Sequence, residues 1–203
     1  PASRAMELLL QQLLKRAKEL YQEQPSFFEQ SSPHLLPFFK KEQTLADYLA
    51  LDDGVMNTYF QSWMHSSDVI LSDLASRFIN RKVFKSVTFD EKDEDKLEVL
   101  RKYVAQVGFY PNYYTGIHVN FDLPYDIYRP EKADPRTQIE ILQKDGSLAE
   151  LSTLSPIVRA ISGETYGDRR FYFPKEMLSE DDLFADIKKS FQAHLNNDHF
   201  IGN

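Results

Sequence analysis

This chain reads as α+β, with helices over residues 1–82 and a mixed segment over 83–203 that carries an antiparallel sheet. Apolar residues recur at three- and four-residue intervals through the first eighty positions. From Val83 to Phe89 they give way to a run rich in β-branched and aromatic residues. Beyond that point short strand-like runs alternate with helical patterns.

In chain order, Ala5, Met6, Leu9, Leu10, Leu13, Ala17, Leu20 and Tyr21 form one apolar helical face. Pro25, Pro33 and Pro37 predict a turn-rich connector that carries Phe27, Phe28, Phe38 and Phe39. Thr44 followed by Asp47 predicts a helix start. Asp52 and Asp53 suit the start of the next helix, and Ser66, Ser67 and Asp68 suit a third. After the strand near Val83, the pattern over 93–107 is helical, with Gly108 as a left-handed cap. Strands are expected at Ile117–Phe121, Ile139–Leu142 and Arg169–Phe173, with a turn at Asp145-Gly146. Ser155-Pro156 opens a helix that Gly163 closes, and Ser179 with Asp182 opens the last one. The second half is thereby expected to form a ferredoxin-like subdomain.

The 203 residues contain no cysteine, which removes disulfides, thiolate metal sites and cysteine nucleophiles and makes a reducing, cytoplasmic setting the expectation. No apolar run reaches membrane-spanning length, so no membrane association is expected. A net charge of −7 disfavours a sequence-independent grip on nucleic acid, whose affinity depends on neutralised phosphates. An RNA-recognition sheet is disfavoured as well, because the [KR]-G-[FY]-[GA]-[FY] signature is absent despite the aromatic run Tyr110-Pro111-Asn112-Tyr113-Tyr114.

No catalytic set assembles from the remaining residues. His34, His65, His118, His194 and His199 lack ligand spacing, and the acidic pairs Asp52-Asp53 and Asp181-Asp182 stand where helix starts favour negative charge. The cluster Arg77, Arg81, Lys82 and Lys85 stands out in an acidic protein. Arg81 and Lys85 are four apart, a spacing that puts both on one side of a helix or of a strand, where they can converge on one anion. The competing explanation is a solvated basic end that complements the helix dipole.

This segment, Arg77-Phe78-Ile79-Asn80-Arg81-Lys82-Val83-Phe84-Lys85, resembles the R-x-L-[FY]-K element of HD-domain phosphohydrolases of the deoxynucleoside triphosphate triphosphohydrolase (dGTPase-like) family. Upstream, Thr44 to Asp53 is similar to that family's T-L-x-D-[FY]-L-x-L-D-D helix start. Downstream, Tyr125 to Arg129, Ile139 to Leu142, Ser155 to Val158 and Arg169 to Phe173 resemble its strand, strand, helix and strand order. The resemblance implies a regulatory nucleotide, dGTP or another nucleoside triphosphate, held at a subunit interface of a homo-oligomer. Its phosphate contacts would be Arg81 and Lys85, with Lys82 as a secondary candidate. It also implies a divalent metal bound by an H…H-D…D set. No His-Asp dipeptide occurs here, since Asp198-His199 is the reverse order. With Pro1 in place of an initiating Met, the expectation is therefore a C-terminal portion, inactive alone, of a longer metal-dependent hydrolase. A purely structural domain that buries apolar surface against the rest of such a protein is the alternative. Whether Lys144 reaches the same pocket is left open by the sequence.

Overall fold

A computed structural model describes residues 2–122, 139–161, 166–179, 184–197 and 201–202. It divides into two compact units, residues 1–117 with 170–203, and residues 118–169. The fold is α+β, and the change in composition at residues 82 to 83 falls inside the first unit.

Helix α1 (Ala2–Glu23) buries Ala5, Leu9, Leu13, Ala17 and Leu20, the face its periodicity predicts. The proline connector departs from expectation. It is helical, with α2 (Pro25–Ser31), a 3-10 turn (Pro33–Leu35) and α3 (Leu36–Lys40). Each proline lies in a first turn, where its missing N–H has no intrahelical partner to lose, so proline starts these helices rather than breaking them. The connector's aromatics do anchor it. Phe28 is fully buried and meets Phe27, Phe39 and Trp63 edge-on, with ring centroids 5.0 to 5.8 Å apart.

Helix α4 (Leu45–Ala50) begins with a capping box in which Thr44 and Asp47 each bond the other's backbone amide. Asp52 caps α5 (Asp53–Trp63), and Asp68 caps α6 (Val69–Ile79) by accepting from the Leu71 amide at 2.8 Å. Asp68 also takes a two-point ion pair from Arg16 of α1, at 2.6 and 3.1 Å. Burial opposes the charge on Asp68, but the Arg16 guanidinium and the Leu71 amide outweigh burial and hold its carboxyl below the ordinary aspartate range.

A four-stranded sheet contains β1 (Lys85–Thr88), β2 (Gly116–Asp122), β5 (Tyr166–Phe173) and β6 (Ile201–Gly202), in the order β2-β5-β1-β6, and the boundaries of the two units fall within β2 and β5. Strand β1 runs antiparallel to both neighbours, with Lys85 opposite Phe173 and Val87 opposite Phe171. Helix α7 (Glu94–Gln106) lies between β1 and β2 in sequence, and α11 (Ala185–Asn197) lies between β5 and β6. This is the split βαβ pattern of the ferredoxin-like fold, with residues 123–165 inserted between its second and third strands. Val87, Phe171 and Phe173 of the sheet share a core with Leu97, Leu100 and Val104 of α7 and Phe191 and Leu195 of α11. Helix α8 (Pro111–Tyr114) forms from the aromatic run that also tempts an RNA-binding reading, and it buries Tyr114.

The second unit holds a hairpin of β3 (Glu140–Leu142) and β4 (Leu148–Glu150), then α9 (Leu151–Leu154) and α10 (Pro156–Ile161). The turn forms at the expected Asp145-Gly146, where Gly146 has φ 85° and the Asp145 carboxylate accepts from the Ser147 amide. The resemblance at Tyr125–Arg129, the Gly163 helix end, and the Asp181-Asp182 and Asp198-His199 pairs fall outside the described residues.

Two outcomes follow from this packing. Trp63 donates its Nε1–H to the fully buried Ser32 Oγ at 2.7 Å, so Ser32→Ala leaves that N–H unsatisfied and should lower the unfolding free energy by about 1–3 kcal/mol, read by urea titration. Asp68, with its depressed folded value, contributes stability that is present above the unfolded value near 4 and lost as pH falls through the folded one. Acid unfolding of Asp68→Asn should therefore show a shallower loss of stability below about pH 4 than the parent chain shows.

Candidate anion-binding cleft

The last residues of α6 build one edge of the site. Lys82 N–H donates to the Arg77 carbonyl at 2.8 Å and Arg81 N–H to the Phe78 carbonyl at 3.2 Å, the paired bonds of a Schellman end. That geometry requires a left-handed residue between the C-cap Asn80 and Lys82, and Arg81 supplies it with φ 53°. Helix α7 ends in the same way, Phe109 N–H bonding the Val104 carbonyl, but there the left-handed residue is Gly108 at φ 98°. Glycine adopts this conformation without a steric penalty and arginine does not. Position 81 thus keeps a long cation where the backbone favours no side chain.

After the turn the chain enters the sheet at Lys85, whose side chain is exposed while Val87, two residues on, is buried. Arg81 and Lys85 therefore do not share one regular element, as the four-residue spacing would have it. The Schellman end turns the chain, and both residues come to line one cleft of about 800 Å³. Its lining also includes Lys82 and Val83 from the turn, Arg77 from α6, Lys175, Glu176 and Leu178 from the 3-10 turn (Lys175–Leu178) that follows β5, and Ser179 directly after it.

The cations differ in their engagement. Arg77 is buried and engaged through all three side-chain nitrogens: Nε donates to Asp73 at 2.7 Å, and Nη2 and Nη1 donate to the two oxygens of Glu176 at 2.8 and 3.2 Å. Its guanidinium also lies 5.5 Å from the ring centres of both Phe109 and Tyr114. Burial works against its charge, but Glu176 and Asp73 outweigh burial and push its pKa upward. The Tyr114 hydroxyl donates to Asp73 at 2.7 Å, and burial, followed by the Asp73 charge, raises its pKa. Arg81, Lys82, Lys85 and Lys175 are instead exposed, and none of the four is engaged by a carboxylate among the described residues.

The opposite edge is anchored from behind. Lys188 of α11 is buried and its Nζ donates to Ser179 Oγ at 2.9 Å, while that hydroxyl donates to the Glu176 carbonyl at 2.9 Å. Gln192 Nε2 donates to the Met177 carbonyl at 3.1 Å. Two side chains of one helix thus hold the turn that presents Lys175 and Glu176.

Sequence spacing finds Arg81, Lys82 and Lys85 but misses Lys175, Glu176 and the role of Ser179, which reads as a helix cap. Ninety residues separate the two edges, and only the β1–β5 register brings them together. The available signal was the charged pair directly after Pro174 at the end of an aromatic strand. Lys144 lies exposed on the β3–β4 turn in the second unit and is not among the lining residues. Among the described residues, no group of three His, Asp or Glu side chains could hold a metal ion. No helix among them is long and apolar enough to cross a membrane.

No family model matches the chain. It is 38% identical over 196 residues to the uncharacterised protein YwfO of Bacillus subtilis (strain 168), in an alignment covering 96% of this chain and 45% of that protein. It is similar in fold to the crystal structure of a phosphohydrolase from Bacteroides thetaiotaomicron, with a TM-score of 0.62 and 24% identity over 86% of this chain and 45% of that one. The chain therefore spans about half the length of either.

Arg81→Gly should raise the unfolding free energy by about 1 kcal/mol, because the left-handed backbone no longer carries a Cβ. Thermal melts of the two proteins check this.

Proposed function

We propose that this chain is a regulatory, nucleotide-binding part of a metal-dependent phosphohydrolase, of the kind that splits a deoxynucleoside triphosphate into nucleoside and triphosphate. The observation that carries the reading is the cleft itself. Four cations that no carboxylate among the described residues engages, Arg81, Lys82, Lys85 and Lys175, line one concavity in a protein of net charge −7. Mutual repulsion among exposed cations is unfavourable, and a polyphosphate relieves it with charge-assisted hydrogen bonds. Arg81 offers a planar fork for two phosphate oxygens, and the lysines act as adjustable point charges.

The hydrolase half of the proposal is supported by the fold shared with a phosphohydrolase and by a relative more than twice as long as the alignment. Since the described residues offer no metal-ligand cluster, no catalytic step is assigned to them. A nucleotide bound at an interface between copies of the chain would act as an activator through its higher affinity for the assembled state.

A second reading has its own observation. Leu45, Tyr48 and Leu49 of α4 are each at least 67% exposed, an apolar face consistent with a purely structural domain that packs on another surface. In that case self-association would not respond to nucleotide.

Calorimetric titration with deoxyguanosine triphosphate tests the proposal. Binding is expected for the parent chain and a loss of at least tenfold in affinity for the Arg81→Ala, Lys85→Ala double variant, with affinity falling as salt rises. Equal heats for both proteins, or none for either, would overturn it.

A further inference from the structure

Glu176 is the one acidic side chain among the described residues that line the cleft, and the phosphate reading does not use it. Its carboxylate stands beside four exposed cations, yet both of its oxygens bond the buried Arg77. Arg77 in turn is fixed by Asp73 and by the rings of Phe109 and Tyr114, and Asp73 is itself fixed by the Tyr114 hydroxyl. The backbone of Glu176 is held by the Ser179 hydroxyl, with Lys188 behind it. Position and orientation of this carboxylate are thus set from two sides, while its side chain remains 42% exposed.

A carboxylate has about four acceptor sites, and Arg77 occupies two of them. The remaining lone pairs can accept only from groups that carry hydrogen. A fixed negative charge in the wall of an anion site weakens any ligand that is purely anionic. It strengthens a ligand that presents hydroxyl or amino donors next to its phosphates. We propose that Glu176 is a specificity residue, which makes the cleft prefer a nucleoside triphosphate to a bare inorganic polyphosphate by accepting hydrogen bonds from sugar hydroxyl or base amino groups. This rests on the reading of the cleft as a phosphate site.

The test compares guanosine triphosphate with inorganic tripolyphosphate by calorimetry, for the parent chain, Glu176→Gln and Glu176→Asp, each with magnesium and with EDTA. Thermal melts accompany the titrations. Glu176→Gln is expected to bind the nucleotide about tenfold more weakly and tripolyphosphate severalfold more tightly, since it loses a charge-assisted acceptor and a repulsive charge together. Glu176→Asp keeps the charge but withdraws it by one methylene. It should leave tripolyphosphate affinity near that of the parent while nucleotide affinity falls, which preserves the test should the amide variant fold poorly. The opposed responses are what a merely structural role would not produce. Equal changes for both ligands would overturn the assignment of Glu176 and leave the phosphate reading standing. An effect seen only with magnesium would overturn it too, because the carboxylate would then serve a metal ion. Absence of binding of either ligand to the parent chain would overturn both.

Discussion

The site depends on one ion cluster, the grip of Arg77 on Asp73 and Glu176. Arg77 stands in the last turn of α6, so its first bond, to Asp73, is made within its own helix. Its second reaches across 99 residues to the turn after β5. A buried guanidinium without carboxylates would be costly, and truncating one partner of such a pair leaves an uncompensated charge. The end of α6 and the turn after β5 are therefore tied together where the cleft forms. Phe109 and Tyr114 complete the enclosure by covering the faces of the guanidinium.

Much of the fold was legible in the sequence because its signals are local. The apolar stripe of α1, the Thr44-Asp47 box, the Asp68 cap and the Gly108 end each arise from residues within a turn or two of one another. The α+β class followed from the change of period near Val83. The connector was misread because proline ends one helix and starts another with equal ease, and only the positions of its neighbours decide which. The short strands β4 and β6 and the helices α8 and α9 carry too few residues for a period to appear. Half of the site was legible for the same reason. Arg81, Lys82 and Lys85 are close in sequence, whereas Lys175 and Glu176 join them through strand register, which no spacing rule records.

Arg81 links conformation to chemistry. Three described helices end in the same hydrogen-bonded motif, α3 at Lys41, α6 at Arg81 and α7 at Gly108, and only α7 uses the residue that the motif favours. At Arg81 the side chain lines the cleft, whereas Lys41, the other left-handed residue that is not glycine among those described, is not among its lining residues. A left-handed residue other than glycine therefore does not by itself mark the cleft, which is distinguished by its charge. The lysines beside Arg81 need no such compromise, since Lys82 and Lys85 occupy ordinary backbone angles.

The contrast between the acidic whole and the basic hollow has a consequence for partner choice. At physiological ionic strength the field of a charge fades over about 8 Å. A long polyanion that reached the four cations would extend beyond the cleft over the surface of a protein whose net charge is −7. A compact anion that fits inside a hollow of about 800 Å³ meets the cations while the outlying negative charge is screened. Under the proposed reading, this distribution of charge would act as a size filter that favours small phosphorylated ligands over polymers of the same chemical unit.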